Sequence, residues 1–435
     1  MPPSEGRRPK GIDIVLGRSV TEDSQLVRWN SESVINGHWA IIGSSGTGKT
    51  YTLRRILKQL VRHPGIRLHL IDLSGDLSIG NPEVESIVKF SENTTHGLNP
   101  FEIDPDLDFG GVRRTVARFL SMVDRYTSPK LGARQQKVLR TLIYDMLEEY
   151  GYYYDRPESW SSNGKEQPSM QTLKEFIDKK YLQLSVGGNS ECFKALKAFA
   201  KQKEAVLKGI EQGIPKVDIE GLRANCLDTY EKFLDTIQSP EDLKELRRYS
   251  DPDVLESIAN RIDNLYHTGI FRDQKPTFSR ARPLWVYDIT SLQESLRGFF
   301  VEIYLSKIFA RARRNGISPN SAIREIVLID EAQHFVNKDP DSIINIVMRE
   351  GRKWGLSLCF ATQRFDLLSI DVITNCACKL ILGLDEFEHI KSSRQLGIPI
   401  VKIKGIHARH TGLVQIKTHD NQLKNGFTEV SLRES

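Results

Sequence analysis

His38-Trp39-Ala40-Ile41-Ile42-Gly43-Ser44-Ser45-Gly46-Thr47-Gly48-Lys49-Thr50 is the stretch whose reading decides the fold. An apolar run leads into Gly-x-x-x-x-Gly-Lys-Thr, and the helix-forming stretch Tyr51–Val61 follows. Strand, glycine-rich turn and helix in that order are the context a phosphate-binding loop requires. The glycines let the backbone curl until successive N–H groups face one anion, and the following helix aims its positive end at the same point. The candidate nucleotide contacts are therefore Gly43, Ser44, Ser45, Gly46, Thr47, Gly48, Lys49, Thr50 and Tyr51. Lys49 is expected on the β- and γ-phosphates and the Thr50 hydroxyl on Mg²⁺, which makes ATP and Mg²⁺ the expected cofactors.

A second signal lies 281 positions after Lys49. Ile326-Val327-Leu328-Ile329 runs into Asp330-Glu331, which puts a carboxylate pair at the carboxyl end of a buried strand. In open α/β sheets the ligand sits at that edge. Asp330 is the candidate metal ligand, and Glu331 the candidate catalytic group that polarises water. The next strand, Leu356–Ala361, ends at Thr362-Gln363, and the Gln363 amide could touch the γ-phosphate or the water. Arg349 and Arg352 lie just before that strand; either is a candidate for stabilising charge on the transferring phosphoryl group, in its own or a neighbouring subunit. Asp72 and Asp76 flank the end of another strand, where metal binding and turn formation compete as explanations.

The remaining strand signals are Ile66–Asp72, Ile87–Phe90, Pro283–Ile289 and Cys378–Gly383. Helical spacing covers Val112–Met122, Arg134–Glu149 and Leu296–Arg311. Between about Tyr150 and Ser279 the chain turns polar, lysine-rich and helix-patterned. The expected organisation is a basic tail (1–10), a first part of the core (11–149), a helical insertion (150–280) and a second part of the core (281–435). Strands alternating with helices imply an α/β fold with a mainly parallel sheet.

Composition bounds the class. Of the 435 residues, 39% are hydrophobic and 27% charged, as in ordinary globular chains. The net charge of +5 is compatible with nucleic acid without requiring it. Five cysteines without a Cys-x-x-Cys pair argue against a zinc or disulfide framework and for reduced thiols in the cytoplasm. No apolar run reaches the roughly 18 residues that span a bilayer. Met1–Lys10 has no apolar core, so it reads as a flexible tail and not a signal peptide.

These motifs together resemble the HerA–FtsK superfamily of P-loop ATPases, and most of all the HerA-like DNA translocases. The resemblance is carried by Gly43–Thr50, by Leu328–Phe335, by Glu350–Leu356 through Ala361–Arg364, and by Asn375–Leu382. It implies a RecA-like core, a homohexameric ring and ATP bound between subunits. Lys49 would then hold phosphate, Asp330 Mg²⁺, Glu331 the role of base and Gln363 that of sensor, with an arginine finger near Arg352. It also implies double-stranded DNA in the ring and a nuclease or other effector as partner, in repair or antiphage defence. Two features depart from that family: about 35 residues precede the loop where a small β-barrel is usual, and Phe365 stands where proline is frequent. The alternatives are a conjugation or type IV secretion ATPase, a class that often brings a membrane-associating domain and that the lack of a transmembrane segment disfavours, and a nucleotide-dependent scaffold for a partner.

Overall fold

The computed structural model describes residues 11–20, 25–185, 190–211, 219–235, 248–249, 252–336, 339–364, 368, 370–420 and 426–432. The expected tail and Phe365 lie outside them. The chain forms two compact units, one made of Met1–Leu98 with Gln274–Ser435 and one of Asn99–Asp273.

The first unit is built on one sheet. Its strands are β1 (Asp13–Ser19), β2 (Leu26–Asn30), β3 (Trp39–Ile42), β4 (Arg67–Asp72), β5 (Glu85–Lys89), β6 (Leu284–Asp288), β7 (Glu325–Ile329), β8 (Leu356–Thr362), β9 (Cys378–Ile381), β10 (Thr411–Ile416) and β11 (Thr428–Ser431). Their spatial order is β2-β1-β11-β10-β9-β3-β8-β7-β4-β6-β5. From β9 to β5 every pairing is parallel. A strand covered on both faces needs apolar side chains on both, and β3, β7, β8 and β9 are buried along their whole length. The sequence expected these strands, and each lies within a residue or two of its expected limits.

An antiparallel wing, β10, β11, β1 and β2, extends the sheet beyond β9. The sequence reading contained none of its strands, although Ile14 and Leu16 on β1 alternate as buried residues with Ile12 just before it. Helix α1 (Lys49–Leu60) joins the wing to the parallel strands. It buries Leu53, Ile56, Leu57 and Leu60, a stripe at helical spacing. The opposite side of α1 carries polar ties to the wing. Beside an irregularity in register at Val15/Gly17, the Gln59 amide accepts from Val15 N at 2.9 Å and donates to Val15 O at 3.1 Å. Arg55 donates to the carbonyls of Leu16 and Leu432.

The second unit is helical. Its helices are Val112–Tyr126, Ala133–Glu149, Met170–Ser185, Ser190–Glu211, Ile219–Asp235 and Pro252–His267. The expected boundary at 150 differs from this division. Helices Val112–Tyr126 and Ala133–Glu149 pack on one another, and the second also packs on Met170–Ser185 and Pro252–His267, so both fall within the helical unit and not the core. Spacing along the chain shows that a segment is helical but not which partners its apolar stripe meets.

The Gln59 tie gives a stability test. Gln59→Ala would leave the amide and carbonyl of Val15 without this partner, at a cost of about 1–3 kcal/mol. Thermal unfolding of the variant should show a lowered midpoint, and an unchanged midpoint would mean that the tie contributes nothing.

Candidate nucleotide site

The phosphate loop leaves β3 and enters α1 through two left-handed glycines, Gly46 (φ 76°) and Gly48 (φ 102°). A side chain at either would be strained, so these two positions fix where the loop can curl. Inside the curl, Thr47 Oγ1 donates to Ser44 O at 2.8 Å. Lys49 is buried, and its ammonium donates to the carbonyls of Gly43 (2.8 Å) and Ser44 (3.1 Å). Burial pushes the Lys49 ammonium down from its ordinary value, while the charges of Glu331 and Asp330 oppose that shift.

Parallel pairing brings the other motifs to the same sheet edge. β8 lies between β3 and β7, so Gln363 emerges between the phosphate loop and the acidic pair. Gln363 Nε2 donates to both carboxylate oxygens of Glu331, at 2.8 and 2.9 Å. Gln333 Nε2 donates to Glu331 Oε2 as well. Gln333 is itself held, since its Oε1 accepts from Thr362 Oγ1 at 3.0 Å and from Gln363 N at 3.3 Å. Glu331 sits in the left-handed region (φ 47°), a conformation that costs a non-glycine residue about 1–2 kcal/mol. Strain of this kind gathers where surrounding contacts fix a functional side chain.

Asp330 is 3% exposed. Burial, with the nearby charges of Glu331 and Asp76, pushes its carboxyl up to about 6 against the opposing effects of a hydrogen bond from Glu331 N and the Lys49 charge. A hard divalent cation would relieve this crowding of negative charge. Thr50 Oγ1 and Asp330 supply the oxygen donors such an ion takes. No group of three or more His, Cys, Asp or Glu side chains that could hold a metal occurs among the described residues. One hydroxyl and one carboxylate suit Mg²⁺, which keeps its waters and shares its binding between one or two carboxylates and substrate phosphates. The nucleotide fits as well: among the described residues, the Lys49 ammonium has only loop carbonyls as partners, and Ser44 Oγ is buried without a hydrogen-bond partner.

A cleft of about 750 Å³ is lined by Ser45 through Thr52, Glu331, Gln363, Arg409, His410 and Leu432. It joins the expected loop residues to Glu331 and Gln363. Arg349 and Arg352 are not among its walls. They precede β8, whereas Gln363 follows it, and a seven-residue strand separates its ends by roughly 20 Å. Both are exposed: Arg349 donates to Pro340 O at 3.0 Å and Arg352 to Ser321 Oγ at 3.2 Å. Asp72 is a turn former, its carboxylate accepting from the backbone amides of Ser74, Gly75 and Leu77. Asp76 accepts from the Ser74 hydroxyl, which also reaches Asp330 Oδ2 at 3.5 Å.

Two participants escaped the sequence reading. Gln333 stands two residues after Glu331, where only the fold shows that it faces back toward the carboxylate. Arg409 lies far along the chain, just before β10, in a stretch without any motif. Its Nε donates to Gly46 O at 2.9 Å and its N–H to Thr47 O at 3.2 Å.

Comparison with known proteins agrees with this geometry. Residues 14–308 match the family model described as "Helicase HerA, central domain". A DNA double-strand break repair helicase HerA of Sulfolobus acidocaldarius is 25% identical over 56% of this chain, but only 49% of that protein is spanned. A probable counterpart in Methanocaldococcus jannaschii is 22% identical over 91% of this chain and 71% of its own length. Among solved structures, VirB4 of Thermoanaerobacter pseudethanolicus aligns over 97% of this chain and 96% of its own, with a TM-score of 0.63 at 14% identity. The conjugative coupling protein TrwB in complex with ADP and Mg²⁺ aligns over 98% and 96%, with a TM-score of 0.52 at 15% identity. These structural likenesses show a shared fold, that of the RecA-like P-loop ATPases. The sheet, the cleft and a family match across more than half of its length place this chain in the HerA helicase central-domain family.

Proposed function

We propose that the chain hydrolyses ATP in this cleft and, as a homohexameric ring, uses the energy to move along double-stranded DNA. The observation that supports hydrolysis is the pair Glu331–Gln363, held in the same cleft as Lys49. Lys49 would exchange its loop carbonyls for the β- and γ-phosphate oxygens. Mg²⁺, held through Thr50 and Asp330, would neutralise charge on those oxygens. The Gln363 amide, bound to both oxygens of Glu331, is the group for which a γ-phosphate would compete. Once it turns to phosphate, a Glu331 oxygen is released to take the proton of the attacking water.

DNA as the track is supported by the family match and by the HerA relatives, which are DNA double-strand break repair helicases. Conjugation and secretion ATPases share the fold, and it is the family match that favours the HerA reading. No helix among the described residues is long and apolar enough to cross a membrane. The ring is supported by the exposed Arg349 and Arg352 at the far end of β8, away from their own cleft. In a ring, one of them would enter the site of a neighbouring subunit. A nuclease or other effector would complete the machine.

Glu331→Gln should keep nucleotide binding and lose hydrolysis by about 10²–10⁴-fold, because the carboxylate acts on water and not on the phosphates. Near-normal turnover in that variant would remove Glu331 from the role of base. ATPase rate measured with and without duplex DNA tests the motor: stimulation is expected, and a DNA-indifferent monomer would end this reading. Arg352→Ala should abolish hydrolysis, and mixing it with a Lys49→Ala variant should recover activity in mixed rings. No recovery would place Arg352 in cis or outside the chemistry.

A further inference from the structure

The strongest feature left unassigned is Arg409. It is one of two non-glycine residues with left-handed backbone that line the cleft, at φ 65° beside Glu331 at φ 47°. An ordinary residue is held in that region only where its neighbours fix it, and such residues cluster at ligand clamps. The neighbours here are the loop's own carbonyls, Gly46 O at the side-chain Nε and Thr47 O at the backbone N–H. Gly48 packs against Arg409 from the other side: a Cβ on Gly48 would lie 3.7 Å from Arg409 Cα and Cγ. The side chain is exposed, and among the described residues its two terminal amino groups make no hydrogen bond. Only Nε of the planar fork is used, so the Nη donors remain available at the mouth of the phosphate loop.

We infer that Arg409 is a cis-acting nucleotide-binding residue whose Nη groups hold the α- and β-phosphates. Two observations favour these phosphates over the γ-phosphate. Arg409 is tied to Gly46 and Thr47, part of the backbone that cradles the α- and β-groups in phosphate loops. The Lys49 ammonium and the Glu331–Gln363 pair, which line the same cleft, are the groups that the proposed function assigns to the γ-phosphate. A guanidinium is suited to the task because it offers paired donors in a fixed plane and cannot lose its charge. Arg409 precedes β10, so a nucleotide held this way would also tie the loop to the antiparallel wing. The contact differs from that expected of Arg349 or Arg352: it comes from the same subunit, and it forms equally with ADP and ATP.

The inference rests on the cleft being a nucleotide site, and the test separates the two. Arg409→Gly removes the side chain and suits the left-handed backbone, so the nucleotide-free protein should keep its Tm. Calorimetric titration with Mg·ADP and with a non-hydrolysable ATP analogue should show both affinities falling by the same factor, about tenfold, as expected for loss of a charge-assisted hydrogen bond. Arg409→Lys should recover part of that loss through charge alone. In turnover, KM should rise with kcat retained, the signature of uniform binding. Unchanged ADP affinity would overturn the inference, as would weakening of the ATP analogue alone, which would make Arg409 a γ-phosphate reader. A lowered Tm in the nucleotide-free variant with unchanged ADP affinity would make it a brace for the loop and overturn it equally. Lys49→Ala is the control for the cleft: if that variant also binds ADP normally, the nucleotide reading fails and not merely the role of Arg409.

Discussion

Parallel pairing on both sides of β3 is the constraint on which the site depends. β3 is four residues long, wholly buried, and hydrogen-bonded to β8 on one side and β9 on the other. Because β8 also runs parallel to β7, the chain ends of β3, β8 and β7 share one edge. Residues on different strands then meet within hydrogen-bonding distance, as Gln363 and Glu331, 32 positions apart, do. An antiparallel β8 would carry Gln363 to the opposite edge and leave Glu331 without that partner.

The cleft so formed is electrostatically unbalanced by its own geometry. Two carboxylates, Asp330 and Glu331, share a partly buried corner with one ammonium, and Asp76 adds to the negative side. Burial raises the Asp330 carboxyl and lowers the Lys49 ammonium. A phosphate would take up the donors of Lys49 and a divalent cation would offset the carboxylates, so a metal–nucleotide pair would satisfy both halves at once. The two glutamines hold Glu331 meanwhile, keeping its charge hydrogen-bonded in a strained backbone position.

The antiparallel wing shows why part of the fold was hard to read. β1 and β2 precede the decisive stretch and β10 and β11 follow the last motif, so none of the four is marked by a motif of its own. Their pairing joins the first strand of the chain to the last, with Arg18 opposite Ser431. That one pairing leaves no local signature, because β1 and β11 lie at opposite ends of the sequence. The helices Val112–Tyr126 and Ala133–Glu149 present the same difficulty: their amphipathic spacing was evident, but their membership in the helical unit follows from packing alone.

The sequence by itself determined the α/β class, the phosphate loop and the parallel strands, because these features are local. Glycines at fixed spacing, an apolar run and a helix former suffice to specify a loop that binds phosphate. It also specified Glu331 and Gln363 as polar residues at strand ends. Tertiary structure alone decided that Gln333 and Gln363 both grip Glu331, that Arg409 rests on the phosphate loop, and that Arg349 and Arg352 stand away from their own cleft. The physical reason is that hydrogen bonds between distant segments depend on strand order and register, which no local spacing encodes.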